Sequence, residues 1–315
     1  MSAAGALALV YTPEAMSFKG IPVSTNTPPR VPQRGPGQNQ LACVVEPLLD
    51  KAAKHLGIDR VEIRALNDPN NDTRYGPKQR GLTSAYMNEA LEQGAKKFGW
   101  QEKKKLSGKR NGTKVMGVGI GQAYHSAGSS GFDGLVVLTP EGKLHIHTGV
   151  GNLGTYSHTA TSRVAAEVLK CDWQSCVVVR GDSRKHLPWN LAQFGSNTSY
   201  TMTRTNYVAA MDAVNKLKEI AAMDLGGEAD DYDIGDEKVF AKEDPSRSLS
   251  YAAAAQRAIE IGGKYSGQEA PDDLNAMTKA SVAGLAGTGL IGVAKDNLAS
   301  EGTPPAFAAG FVQIE

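Results

Sequence analysis

Arg34 stands in the run Gln33-Arg34-Gly35-Pro36-Gly37-Gln38, a fixed cation inside a glycine-bearing loop. Apolar residues then recur at Leu41, Val44, Val45, Leu48, Leu49, Ala52, Ala53 and Leu56, a helical spacing that Gly57 ends. A helix start offers unpaired backbone N–H groups and the positive end of a dipole. Adding Arg34, with Gly35, Pro36 and Gly37 allowing close approach, gives a seat for an oxyanion; a plain surface turn before a packed helix uses the same residues. Gly149-x-Gly151-x-x-Gly154 is a second such loop, running from a predicted strand into a predicted helix. Its form is that of a dinucleotide fingerprint, and Asp172, or Asp182 after the next strand, stands where a ribose-binding acid is sought. Gly195-Ser196-Asn197-Thr198 is the third loop, with hydroxyls and an amide that either bind a ligand's polar edge or cap the helix that follows.

Other reactive side chains make weaker sites. His145 and His147 lie two apart on a predicted strand and so share a face, yet no third ligand follows at a regular spacing. His125 and His158 flank glycine-rich stretches and are read as lining a cleft. Cys43, Cys171 and Cys176 are too few to hold an iron–sulfur cluster alone, and an odd count argues against a disulfide framework. No serine sits in a nucleophile elbow. Glu301, in Glu301-Gly302-Thr303-Pro304-Pro305, is a carboxylate in a turn and a candidate general base.

Taken in order, these pieces and their neighbours form a signature. Ser24-Thr25-Asn26-Thr27-Pro28-Pro29, the Gln33–Gly37 loop, Glu46-Pro47-Leu48-Leu49-Asp50, Leu56-Gly57-Ile58-Asp59 and Arg64-Ala65-Leu66-Asn67 come first. Gly149 to Thr155, Gly195 to Thr198 and Gly284-Leu285-Ala286-Gly287-Thr288-Gly289-Leu290-Ile291-Gly292-Val293-Ala294 follow. The set resembles the molybdenum-cofactor-binding subunit of the molybdenum hydroxylases, the xanthine dehydrogenase and aldehyde oxidase family, over nearly the whole chain.

The resemblance implies a molybdopterin cofactor, also as its cytosine dinucleotide, held through Arg34, Gly35, Pro36, Gly37, Gly151, Asn152, Gly154, Thr155, Ser196, Asn197 and Thr198, with no protein side chain bound to the metal directly. It implies oxidative hydroxylation of an aldehyde or an N-heterocycle carbon with oxygen from water. The electrons would leave to 2Fe-2S and FAD groups on partner chains, and another chain would complete the cofactor domain. The family loop matching Gly149 to Thr155 has a Gly-Gln-Gly centre. Here the centre is one residue longer and Asn152 supplies the amide with a shorter reach. The family's base loop follows, at some distance, a strand like Phe307 to Glu315, so by that order Glu301 is a decoy and the base falls beyond residue 315. The chain then reads as a fragment or split subunit, inactive by itself, and its 306–314 strand is expected to lack partners. An NAD(P)-dependent oxidoreductase using the Gly149–Gly154 loop, and a non-catalytic structural subunit, are the other readings.

The elements that must position these loops fit an α+β fold of mixed sheets with flanking helices in two lobes, residues 1–76 closing the first and 77–315 forming the second. Helices are expected over 41–56, 83–98, 155–169, 203–223 and 250–261, with Thr83 or Ser84 as a cap. Strands are expected at 117–121, 135–138, 143–147, 175–180, 237–241 and 307–315, and a strand or turn leads to Asn67. Residues 101–114 form a basic linker and 226–235 an acidic loop. The 315 residues carry a net charge of +1, which gives no steering toward nucleic acid or an anionic membrane. The short apolar run Ala6 to Val10 has no basic residue before it, and no stretch is long and apolar enough to span a bilayer; the expected location is cytoplasmic, with the periplasm as the alternative.

Overall fold

The computed structural model describes residues 10–28, 31, 33–75, 79–299 and 302–315. Glu301, Pro29, residues 6–9 of the first apolar run and the expected lobe boundary at 76/77 lie outside them. The main elements, in order, are α1 (Gln38–Leu56), α2 (Arg60–Ala65), α3 (Met87–Phe98), β1 (Gly117–Ser126), β2 (Asp133–Leu138), β3 (Leu144–His147), α4 (Ser157–Val168), β4 (Val177–Val179), α5 (Thr203–Leu225), β5 (Tyr232–Gly235), β6 (Lys238–Ala241), β7 (Ser248–Ser250), α6 (Tyr251–Ile261), α7 (Ala276–Gly284), β8 (Leu290–Lys295) and β9 (Pro305–Ile314). This is an α+β chain with several small sheets. Contacts divide it into one unit of residues 1–127 with 300–315 and another of 128–299. That division follows compactness, because β9 returns to pair with β1; the 76/77 boundary concerns sequence lobes and is a different quantity.

In the first unit β1 and β9 form an antiparallel ribbon along their whole length, from Gly117↔Ile314 to Ser126↔Pro305. The strand expected to lack partners is thus paired on one edge, while Ala306, Ala308, Gly310, Val312 and Ile314 stay exposed. Val118, Ile120 and Tyr124 alternate toward the core. Val118 and Ile120 pack with Leu91, Trp100 and Phe311, and Tyr124 packs with Leu82, Val45 and Phe307. The other edge of β1 is closed by side chains. Arg60 Nη1 donates to the carbonyl of Val118 at 2.7 Å, and Arg64 Nη2 to that of Ile120 at 3.3 Å. Glu46 Oε2 accepts the N–H of Gln122 at 2.9 Å. The residues leading to Asn67 form helix α2, not a strand, because Asp59 caps it by accepting the N–H of Val61 at 2.8 Å. The 101–114 stretch is not a bare linker either, for it contains the Arg110–Asn111/Lys114–Val115 hairpin. Helix α3 begins at Met87, later than the 83/84 cap expected, because Ser84 takes the left-handed conformation.

The second unit is built on a four-stranded sheet in the order β8-β2-β3-β4. Its first three strands are antiparallel, and β4 is parallel to β3 through the α4 crossover. All six residues of β2 are buried because both faces are covered. Helix α5 lies on one face through Ala209, Ala210 and Ala213. Gly134 and Gly292 let it come that close: a Cβ on Gly134 would stand 1.9 Å from the Thr205 carbonyl oxygen, and one on Gly292 2.4 Å from that of Ala209. Leu135, Val137, Ile291 and Val293 fill the other face with Leu274 and with Val282 of α7, a helix the sequence reading did not anticipate. The acidic 226–235 stretch ends in strand β5, which joins β6 and β7 in a small antiparallel sheet.

Candidate functional site

In the first unit α1 begins at Gln38, directly after the Arg34 loop and three residues earlier than the apolar spacing suggests. Gly35 and Gly37 have φ of 64° and 92°, a conformation that favours glycine. Asn39 Nδ2 donates to the Arg34 carbonyl at 2.9 Å, and Gln40 Oε1 accepts the N–H of Gly37 at 2.9 Å, so the loop is stapled to the helix it precedes. Gly37, at the start of α1, has no side chain to cap the helix N–H groups. Arg34 and Pro36 are exposed, and Arg34 forms no ion pair among the described residues.

In the second unit the glycine loop of residues 148–156 runs from β3 to α4. It is tied down behind. Asn190 Oδ1 accepts the N–H of Gly149 at 2.7 Å, while its Nδ2 donates to the Asp133 carbonyl at 2.9 Å. His158 Nε2 donates to the Val150 carbonyl at 2.9 Å, so this imidazole is buried behind the loop and does not line a cleft. The front is open. A Cβ on Gly151 or on Gly154 would meet nothing within 4 Å, and Leu153 and Tyr156 are exposed. Asn152 turns inward: its Oδ1 accepts the N–H groups of Gly154 and Thr155, both at 3.0 Å. The short amide therefore folds its own loop, and two backbone donors are spent in doing so.

The 195–198 loop adjoins this one through a residue the sequence reading missed. Gln193 Nε2 donates to Thr155 Oγ1 at 2.9 Å and to Ser157 Oγ at 2.8 Å. Gly195 and Ser196 have φ of 60° and 55°. Asn197 is buried, its Oδ1 accepting from Ser129 Oγ at 2.8 Å and its Nδ2 donating to the Phe194 carbonyl at 2.8 Å. Thr198, also buried, opens a π-helical turn, Thr198–Met202, that leads into α5. Such turns are frequent at functional sites. The only sequence signal for Gln193 is its place two residues before Gly195; nothing in that spacing announces a contact with residue 155.

Other candidates are engaged elsewhere. Burial holds His147 down to about 4, and its Nδ1 lies 3.0 Å from the His186 carbonyl oxygen, which leaves little of this ring for a metal. Burial also lowers His145. Among the described residues no three His, Cys, Asp or Glu side chains gather as a metal site. Burial pushes the thiols of Cys171 and Cys176 up to about 12 and about 11, so neither is a ready thiolate. Asp172 Oδ1 accepts the N–H of Gln174, and Asp182 pairs with Arg184 at 2.9 Å, so each acid is engaged within its own turn. The unit holds one βαβ crossover, β3-α4-β4, in an otherwise antiparallel sheet, not the repeated crossovers of a dinucleotide fold. No described helix is long and apolar enough to cross a membrane.

Residues 93–300 match the profile of a molybdopterin cofactor-binding domain, and residues 1–68 match a second profile of the same description. The aldehyde oxidoreductase molybdenum-binding subunit PaoC of Escherichia coli strain K12 is 30% identical over 236 residues, 73% of this chain and 31% of that protein. The putative xanthine dehydrogenase molybdenum-binding subunit XdhA of the same strain is 26% identical over 224 residues, 70% of this chain and 30% of that protein. The chain thus spans less than a third of these relatives' length. Among solved structures, a Cu,Mo-CO dehydrogenase superposes with a TM-score of 0.66 at 19% identity, covering 87% of this chain and 34% of that one. Quinoline 2-oxidoreductase from Pseudomonas putida 86 gives 0.64 at 18%, covering 89% and 35%. At those identities the likeness is one of fold.

Proposed function

Since the chain belongs to the molybdenum hydroxylase family, the one that includes xanthine dehydrogenase and aldehyde oxidoreductase subunits, we propose that it is the molybdopterin-binding part of an enzyme hydroxylating an aldehyde or an N-heterocycle carbon. The observation that carries this reading is the 148–156 loop. It is pinned from behind by Asn190 and His158, open in front at Gly151 and Gly154, and placed at the start of a twelve-residue helix. A phosphate or pyrophosphate fits there, drawn by the helix dipole and by hydroxyls. Gln193 Oε1 is buried without a hydrogen-bond partner, which suits a polar ligand that brings a donor to it. When bound, the cofactor supplies the two-electron oxidation of substrate; the chain's residues bind and orient it.

In this reading Gly151, Gly154 and Thr155 approach the phosphate, with Asn152 shaping the loop. Ser196, with the buried Asn197 and Thr198 behind it, holds the neighbouring loop. In the first unit, taken by itself, Arg34 with Gly35, Pro36 and Gly37 is a separate candidate seat for an oxyanion of the cofactor. The cytosine dinucleotide form, 2Fe-2S and FAD groups on partner chains, and a cytoplasmic location belong to the same proposal. So do the division into lobes at 1–76 and 77–315 and a catalytic base other than Glu301. The NAD(P) reading is disfavoured by the single βαβ crossover in an otherwise antiparallel sheet, and a non-catalytic subunit by the two cofactor-domain matches. The test is to purify the chain from a host that makes molybdopterin and to measure pterin fluorescence and molybdenum. Pterin that copurifies supports the assignment, and saturable NADH binding without pterin overturns it.

A further inference from the structure

We infer that Gln193 sets the hydrogen-bond polarity of Thr155 and Ser157, holding both hydroxyls as donors toward an oxyanion at the start of α4. The inference rests on the reading that this loop receives a phosphate. A hydroxyl has one proton and two lone pairs. Gln193 Nε2 donates to Thr155 Oγ1 at 2.9 Å and to Ser157 Oγ at 2.8 Å, so a lone pair of each is committed and each proton turns away from the amide. The acceptors those protons meet within the protein are distant. Ser157 Oγ stands 3.4 Å from the Gly151 carbonyl oxygen, and Thr155 Oγ1 3.4 Å from Ser157 Oγ. Contacts of that length are weak and give way to a charged acceptor, whose hydrogen bonds are shorter and stronger.

The hydroxyls matter because the backbone is partly spent. In a phosphate loop the N–H groups usually grip the anion. Here the N–H groups of Gly154 and Thr155 already point at Asn152 Oδ1. The loop's remaining donors near the helix start therefore include the two hydroxyls that Gln193 orients. The orphaned Oε1 strengthens the point. A buried acceptor without a partner works against stability, so an amide at position 193 is better explained by what its nitrogen does for the loop.

The test is isothermal titration of the full 315-residue chain with inorganic pyrophosphate, for the parent, Gln193→Met, Thr155→Val/Ser157→Ala and the triple variant. Gln193→Met should weaken binding roughly 10-fold, the order of one lost charge-assisted hydrogen bond, with Tm within about 3 °C of the parent. The hydroxyl-deleted protein should lose at least as much, and adding Gln193→Met to it should cost nothing further, since the amide acts through those hydroxyls. Parent-like binding by Gln193→Met, multiplying losses in the triple variant, a loss matched by a large fall in Tm, or no pyrophosphate binding by the parent would each overturn the inference. Pterin content is read separately. Gln193-dependent pyrophosphate binding without pterin defeats the cofactor assignment and leaves the inference standing. Pterin binding that ignores Gln193 does the reverse.

Discussion

Arg64 Nε donates to Glu46 Oε2 at 2.9 Å, and the same carboxylate oxygen accepts the N–H of Gln122 at 2.9 Å, so one ion pair closes the strand edge that β9 leaves open. Arg64 is fully buried, and its Nη2 also reaches Asp50 at 2.9 Å. Tyr11 donates to Glu46 from the other side. Arg64→Ala would strand a buried carboxylate and unpair a backbone edge. It should cost about 3–5 kcal/mol, and Glu46→Gln/Arg64→Met should recover part of that. Urea unfolding of the three variants checks the order; a loss below 1 kcal/mol for Arg64→Ala would show that the pair does not close the edge.

Asp68 lies beside this pair, bonded to Gln122 Nε2 at 3.2 Å. Burial pushes its carboxyl up to about 7, against the pull of the Gln122 bond and of Arg64. The folded protein thus holds a proton between roughly pH 4 and 7 that the unfolded chain releases, and stability falls as pH rises through that window. Asp68→Asn should stabilise the chain at pH 8, on the order of 1 kcal/mol after allowing for screening of a partly exposed group, and should add nothing at pH 4. Thermal melts at the two pH values measure the difference.

His147 titrates in the opposite sense. Burial lowers it to about 4, the bond to the His186 carbonyl recovering only part of the loss. The fold excludes a proton that the unfolded chain takes up below about 6.5, so stability is lost as pH falls from there toward 4. The loss should reach roughly 2–3 kcal/mol at pH 4, and His147→Gln should flatten this part of the profile. A variant profile that runs parallel to the parent's between pH 7 and 4 would count against it.

Much of this arrangement is legible in the sequence, and the limits have physical causes. Gly57 ending α1 acts within a turn of its own position, so pattern finds it. Helix α2 reads as strand or turn because its six residues carry too short a period to outweigh local propensity; the Asp59 cap is its one local signal. The three glycine loops are legible as loops. That Asn152 folds back on Gly154, or that Gln193 touches Thr155, depends on side-chain direction and on distant chain meeting, which spacing does not encode.

Gly151 and Gly154 separate ligand approach from backbone need. A Cβ at Gly151 meets nothing within 4 Å and its φ is not positive, so Gly151→Ala should leave Tm within about 2 °C while lowering pterin content. Gly154 has φ of 84°, so Gly154→Ala should cost about 1–2 kcal/mol whether or not a ligand binds. Pterin retained at the parent level in Gly151→Ala would show that the backbone does not need to come close there.

Arg34→Ala should reduce molybdenum content severalfold with an unchanged melt, since the side chain is exposed and forms no ion pair among the described residues. Metal content by mass spectrometry, normalised to protein, reads the effect, and a ratio equal to the parent's shows that Arg34 does not bind the cofactor.

The measurement closest to the central claim is the pterin content of the parent chain and of Gly151→Val, both purified from a host that makes molybdopterin. The account predicts pterin fluorescence and molybdenum with the parent, both lost in Gly151→Val at a similar Tm, and no saturable binding of NADH or NADPH to either. Absence of pterin from the parent, or micromolar affinity for a nicotinamide cofactor that Gly151→Val abolishes, would contradict it.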